Sequence, residues 1–326
     1  MNAQDNPKSA PSAGPALQPV AFGELPGEFA IRTSLKDTYL TARDGGRHSV
    51  DAVITAATTV GPNEKFKLTS FQPNFTTIRT LPGFFVSAVG GGGLGGSFDT
   101  THILQTERTS VADDALFRLV GPTDPFGDFS IGTFNDHFLT ALGGGGKTTG
   151  AFHTDATTVS SWERFRLSKC GDLGSGYTYA ITQTVKIGSP RFRCLAARYG
   201  EAHGRGIGID DYLLGGNNGF TLIRLVDGSF ALQTSNGFNY VTADNGGGIA
   251  SGVPLLITQT HIQAWETFKI VDQGDGTYTI QTISGFFLAF GPRGISTRIS
   301  DPNAAPSIGY DAKFELMMIG LSKQSP

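Results

Sequence analysis

One short stretch recurs along this chain with the same neighbours on either side, and the recurrence limits the available folds more than any single residue does. Trp265 to Ile270 reads WETFKI and Trp162 to Leu167 reads WERFRL. Looser copies are EKFKL ending at Leu68, ALFRL ending at Leu119, TLIRL ending at Leu225 and AKFEL ending at Leu316. Aligning the copies places the apolar anchors at Phe66, Phe117, Phe165, Ile223, Phe268 and Phe314.

The flanks carry the same register. An apolar residue stands six places before the anchor at Val60, Val111, Val159, Ile262 and Ile308, and only Asn217 interrupts the series. Earlier in each copy lie two short alternating segments, such as Phe29-Ala-Ile31 then Tyr39-Leu40, or Phe230-Ala-Leu232 then Tyr240-Val241. Alternation of this kind is strand periodicity. Each unit is therefore four short strands, and the chain holds six units.

A lone four-strand unit leaves its apolar face and its edges open, whereas three units around a pseudo-threefold axis close on one another. The expected fold class is all-β, two tandem β-trefoils, each of three four-strand repeats. The expected boundaries are a disordered amino-terminal arm over residues 1–27, a first trefoil over 28–173 and a second over 174–322, joined at the turn-forming GDLGSG, Gly171 to Gly176. The 45 glycines among 326 residues argue against helix, since each interior glycine costs about 1 kcal/mol relative to alanine.

Charge narrows the partners. A formal net charge of −3 and the absence of any long Lys/Arg run give no general attraction for phosphate backbones, so nucleic acid is not expected. No apolar run reaches the roughly 20 residues of a membrane span, and the amino terminus lacks the order of a secretory signal. The expected location is the cytoplasm, or outside the cell by a non-classical route.

The chemistry-bearing residues do not assemble into a catalytic motif. His48, His102, His153, His203 and His261 stand at differing distances from their anchors, and no metal-ligand spacing or G-x-S-x-G is present. Neither an enzyme, a metal nor a cofactor is expected. Gly90–Gly93, Gly143–Gly146 and Gly246–Gly248 read as flexible hairpin loops, because Gly146-Lys147-Thr148 lacks the spacing and the following helix of a phosphate loop. The charges beside the anchors, Lys67, Arg118, Arg166, Arg224, Lys269 and Glu315, point away from the anchor side and are expected in solvent, with Glu64, Glu163 and Glu266 available to pair with them. Trp162 and Trp265 share a slot that the alignment fills elsewhere with Phe220, Asn63, Asp114 or Asp311, and read either as sugar-stacking platforms or as part-buried barrel side chains. Cys170 and Cys194 read either as buried thiols or as one bridge.

The fourth unit departs furthest from the pattern. Its polar loops place His203, Asp210, Asp211, Tyr212, Asn217 and Asn218 where packing lapses, and these residues are the expected ligand-binding set, with donors, acceptors and a ring suited to a polar ligand such as a sugar.

NGFNYVTADNGGG at Asn236 to Gly248 followed by WETFKI, and HFLTALGGGG followed by WERFRL, resemble the fascin-like β-trefoil family across all six units. Animal fascins carry four trefoils and bundle actin, whereas this chain has two. Other relatives of this style look like non-catalytic modules that bind carbohydrate. The resemblance implies a lectin-like protein whose partner is a glycan or polysaccharide, with a protein-interaction or actin-crosslinking module, part of a toxin or effector, as the alternative. Ricin-type lectins carry Q-x-W in each unit, and here Gln263-Ala-Trp265 is the one match.

Overall fold

The computed structural model describes residues 27–72, 74–121, 128–183, 193–199, 206–211, 216–249, 254–291, 294–308 and 311–319. The arm expected at the amino terminus lies outside this set except for Gly27. Among the described residues the chain is all-β, with 24 strands joined by turns and short 3-10 segments and no α-helix.

The strands fall into units of four. The first is β1 (Glu28–Thr33), β2 (Tyr39–Ala42), β3 (Val53–Ala57) and β4 (Lys65–Gln72); the second is β5 (Phe75–Thr80), β6 (Phe85–Ala88), β7 (Leu104–Arg108) and β8 (Leu116–Val120). The third is β9 (Ser130–Gly132), β10 (Phe138–Ala141), β11 (Phe152–Ala156) and β12 (Phe165–Cys170); the fourth is β13 (Thr178–Gln183), β14 (Arg193–Arg198), β15 (Gly206–Asp211) and β16 (Gly219–Arg224). The fifth is β17 (Phe230–Thr234), β18 (Tyr240–Ala243), β19 (Leu255–Gln259) and β20 (Thr267–Asp272); the sixth is β21 (Tyr278–Thr282), β22 (Phe287–Gly291), β23 (Gly294–Ile299) and β24 (Phe314–Met318).

Outer strands of the units close two rings. In the first, β1 pairs with β4, β4 with β5, β5 with β8, β8 with β9, and β12 returns to β1. The remaining join is made by Phe129 and Phe165, which exchange both backbone hydrogen bonds at 2.7 Å. In the second, β13, β16, β17, β20, β21 and β24 pair in that order and β24 closes on β13. The inner strands of each unit form a hairpin of their own, β2 with β3 through β22 with β23. Closure leaves few strand edges exposed.

Phe66, Phe117, Phe165, Phe268 and Phe314 are fully buried, as their period requires. The fourth anchor is a correction. Tyr179 pairs with Phe220 as Phe29 pairs with Phe66, so Phe220 and Leu222, both fully buried, fill the places assigned to Ile223 and Leu225. Three apolar residues, Leu222, Ile223 and Leu225 around Arg224, mimic the repeat three positions late. With the register corrected, Leu214 stands six before the anchor and Asn217 moves into the slot of Trp162 and Trp265.

Two of the six outward charges are not in solvent. Arg166 and Glu315 point away from their own ring, as alternation demands, yet both are buried, Glu315 against Arg32 of the other ring and Arg166 against two carboxylates of its own. Arg32 Nη1 lies 3.0 Å from Glu315 Oε2, while Arg166 holds Asp128 at 2.7 Å and Asp37 at 3.0 Å. Burial raises the carboxyl pKa of Asp37, and Arg32 and Arg166 oppose that rise. The join is reinforced where Ser168 of β12 pairs with Met317 of β24 and where Tyr278 donates its hydroxyl to Gly171 O at 2.9 Å. Cys170 and Cys194 are both free and buried, and burial pushes the Cys170 thiol up to about 12.

The glycine runs are not loose. Arg47 and His48 donate backbone N–H groups to Thr106, Gly93 and Leu94 to Thr154, and Lys147 to the Thr55 hydroxyl, at distances of 2.7–3.2 Å. Each buried threonine thus receives the loop of a neighbouring unit, which ties the three units of the first ring in a cycle. At the equivalent place in the second ring, Gly248 donates to Thr297 O at 2.8 Å.

Candidate functional site

The fourth-unit set is only partly assembled. His203 and Tyr212 lie outside the described residues. Asp211 ends β15 opposite Arg193. Asp210 forms an ion pair with Arg198, whose Nη2 also donates to Ile209 O at 3.0 Å. Asn218 Nδ2 donates to Asp210 Oδ2 at 3.2 Å and to Leu195 O at 3.1 Å, and the residue is buried. Asn218 therefore supports Asp210 from inside, while Asn217 is exposed beside it. Arg198, which the repeat pattern did not single out, is the partner that holds Asp210 in place.

A second constellation recurs between the third and fourth strands of a unit. In the third and fifth units, the 3-10 turns Ser161–Glu163 and Ala264–Glu266 precede the anchor strand. Their final glutamates are buried and do not pair with outward charges. Glu163 Oε2 accepts from Ser160 N at 2.8 Å, and Glu266 Oε2 accepts from Gln263 N at 2.9 Å. That reciprocal capping fixes the turn, and the middle residue, Trp162 or Trp265, is left pointing outward. The two indoles are 42% and 44% exposed, which excludes a core role for either.

Beside each tryptophan turn lies the glycine turn of its own unit, and against that glycine turn packs the tip of the β1–β2 hairpin in the first ring and of the β21–β22 hairpin in the second. Gly144 has φ +76°, and a Cβ there would lie 2.5 Å from Leu35 Cδ2. Gly246 has φ +77°, and a Cβ there would lie 2.5 Å from Ser284 Oγ and 3.5 Å from Ile283 Cγ2. Glycine is required at both places by conformation and by approach. The result is one platform per ring: the turn that carries Trp162 and the hairpin tip that carries Leu35 both adjoin the glycine turn at Gly144, and the turn of Trp265 and the tip at Ile283 both adjoin that at Gly246. Leu35 and Ile283 are themselves 53% and 57% exposed. The same slot holds Asn63, Asp114 and Asn217 in other units, so the platform is aromatic in two places and polar elsewhere.

The polar surroundings of the two platforms differ. The glycine turn beside Trp265 opens with Asp244 and Asn245, and Asn245 is exposed with φ +50°. Beside Trp162 the corresponding residues are Leu142 and Gly143. Among the described residues, no three His, Cys, Asp or Glu side chains gather to hold a metal ion, and no helix is long and apolar enough to cross a membrane.

Comparison with known proteins gives no family. No family model matches the chain, and no curated protein matches it. Similar solved structures include a designed threefold-symmetric protein, ThreeFoil, at 13% identity and TM-score 0.38, covering 43% of this chain and 96% of that one. A mosquitocidal holotoxin is 11% identical with TM-score 0.37 and matches 90% of this chain, which spans only 34% of the holotoxin's length. The Rhizoctonia solani agglutinin is 13% identical with TM-score 0.35, covering 48% of this chain and 98% of its own.

Proposed function

We propose that the chain is a non-catalytic carbohydrate-binding protein whose sites are the platforms at Trp265 and Trp162. The observation that supports this reading is the presentation of a half-exposed indole on a turn fixed by a buried glutamate, at the same position of a unit once in each ring. An indole held in this way offers a flat apolar face to a sugar ring at little entropic cost. At Trp265, Asp244, Asn245 and Ser284 add the acceptors and donors that orient hydroxyl groups. Under the same proposal each ring with its hairpins is a β-trefoil, the first over residues 28–173 and the second over 174–322.

Asp210 and Asn217 remain a second polar surface in this reading, with Asn217 in the tryptophan slot of the fourth unit. An alternative follows from Leu35 and Ile283, because an aliphatic side chain beside a tryptophan also suits a protein partner. Actin crosslinking falls within that alternative, although a chain of net charge −3 has no general attraction for an acidic filament.

A glycan array probed with the wild type, Trp265→Ala and Trp162→Ala tests the proposal. Binding that falls at least tenfold in one or both variants supports it. Absence of glycan binding, together with filament cosedimentation that Trp265→Ala and Trp162→Ala weaken, supports the alternative.

A further inference from the structure

The two platforms carry opposite charge. Lys36 follows Leu35 on the same hairpin tip, and Lys147 follows the glycine run whose turn adjoins the Ser161–Glu163 turn that carries Trp162. From Gly143, the point where a Cβ would stand is 3.9 Å from Lys36 Nζ and 3.9 Å from Lys147 Cε. Both lysines are exposed. Among the described residues neither forms an ion pair, and the nearby Asp51 carboxylate is occupied by Gly150 N at 2.7 Å and Thr149 Oγ1 at 2.8 Å. At the second platform the equivalent positions are Ser284 and Ile249, while Leu142 and Gly143 are replaced by Asp244 and Asn245.

We propose that the first-ring platform binds an acidic saccharide, its carboxylate or sulfate lying between Lys36 and Lys147 and its ring on Trp162. This rests on the carbohydrate reading above and names the ligand class for one of its two sites. The argument for a saccharide over a bare anion is the indole and Leu35, which give a ring face something to cover and give a free anion nothing. The argument for an acidic one is the paired ammonium groups on a chain of net negative charge, where attraction is local and is lost beyond about 8–10 Å at physiological salt. The second platform, with Ser284 and Ile249 in place of the lysines and Asp244 in place of Leu142, takes neutral sugars and rejects acidic ones.

The test uses the full chain against heparin, polygalacturonate, neutral dextran and phosphatidylserine vesicles. The expected result is binding to at least one acidic polymer that weakens with added salt, falls about tenfold or more in Lys36→Gln/Lys147→Gln, and is lost in Trp162→Ala. A charge-matched control, Lys67→Gln/Lys269→Gln, removes two exposed lysines elsewhere and is expected to bind as the wild type does. Equal binding by Lys36→Gln/Lys147→Gln and the wild type overturns the inference, as does binding to the vesicles alone. Binding to neutral glycan alone, sensitive to Trp265→Ala, overturns the inference and leaves the carbohydrate reading standing. Binding to no glycan of either kind ends both.

Discussion

Arg32 of β1 and Glu315 of β24 meet across the join of the two rings, with Arg32 Nη1 3.2 and 3.0 Å from the two carboxylate oxygens and both side chains buried. Removing one partner strands a charge in the interior, which typically costs about 3–5 kcal/mol. Arg32→Met and Glu315→Leu are each expected to lose stability on that order in urea titration, and the double variant to recover most of it. Equal losses that simply add would show that the two residues are not coupled.

Arg166 and Lys269 occupy equivalent positions, yet Arg166 is buried against Asp37 and Asp128 while Lys269 is in solvent. Arg166→Ala is expected to lower the urea midpoint strongly, and Lys269→Ala to change stability by no more than about 0.5 kcal/mol. Similar midpoints for the two variants would contradict the burial of Arg166 between Asp37 and Asp128.

The corrected register predicts that Phe220→Ala costs about 3–5 kcal/mol, as core aromatic truncations do. Ile223 is half-buried at the rim of its strand and its truncation is expected to cost clearly less. Thermal midpoints of the two variants check this, and the reverse order would restore the alignment based on Ile223.

Lys169 is buried over the Phe29 ring, with Nζ donating to Cys170 O at 2.6 Å and Glu28 O at 3.3 Å. Burial lowers its pKa from 10.5 to about 8. The folded chain then binds fewer protons than the unfolded chain between those values, so this group's contribution to stability rises with pH across the window. Relative to Lys169→Met, the wild type is expected to gain up to about 3 kcal/mol between pH 7.5 and 10.5. A difference that stays flat over that range would place the ammonium in contact with water.

Much of the fold is legible in the sequence because its period is short and its anchors are aromatic. Phe66, Phe117, Phe165, Phe268 and Phe314 announce the ring strands directly. The fourth unit misleads because Leu222 and Ile223 are adjacent apolar residues, and alternation cannot choose between them without the partner strand that pairs Tyr179 with Phe220. Arg166 and Glu315 look like their solvated equivalents because strand periodicity reports which way a side chain points and not what lies beyond it. Glu163 and Glu266 read as surface acids for a similar reason, since a capping role depends on the 3-10 turn that precedes the anchor. The exposure of Trp162 and Trp265 was open in the sequence, and it is decided by those same capped turns.

Trp162 and Trp265 are the only tryptophans in the chain, so indole fluorescence reports the two proposed sites and nothing else. The most direct measurement is a titration of Trp162→Phe and Trp265→Phe, each with one remaining indole, against a glycan that the wild type binds, with iodide as quencher. The account predicts that saturating glycan shifts the emission of at least one single-tryptophan form and cuts its quenching by iodide severalfold. Saturable glycan binding that leaves both indoles as accessible to iodide as before would place the site elsewhere on the molecule and contradict the account.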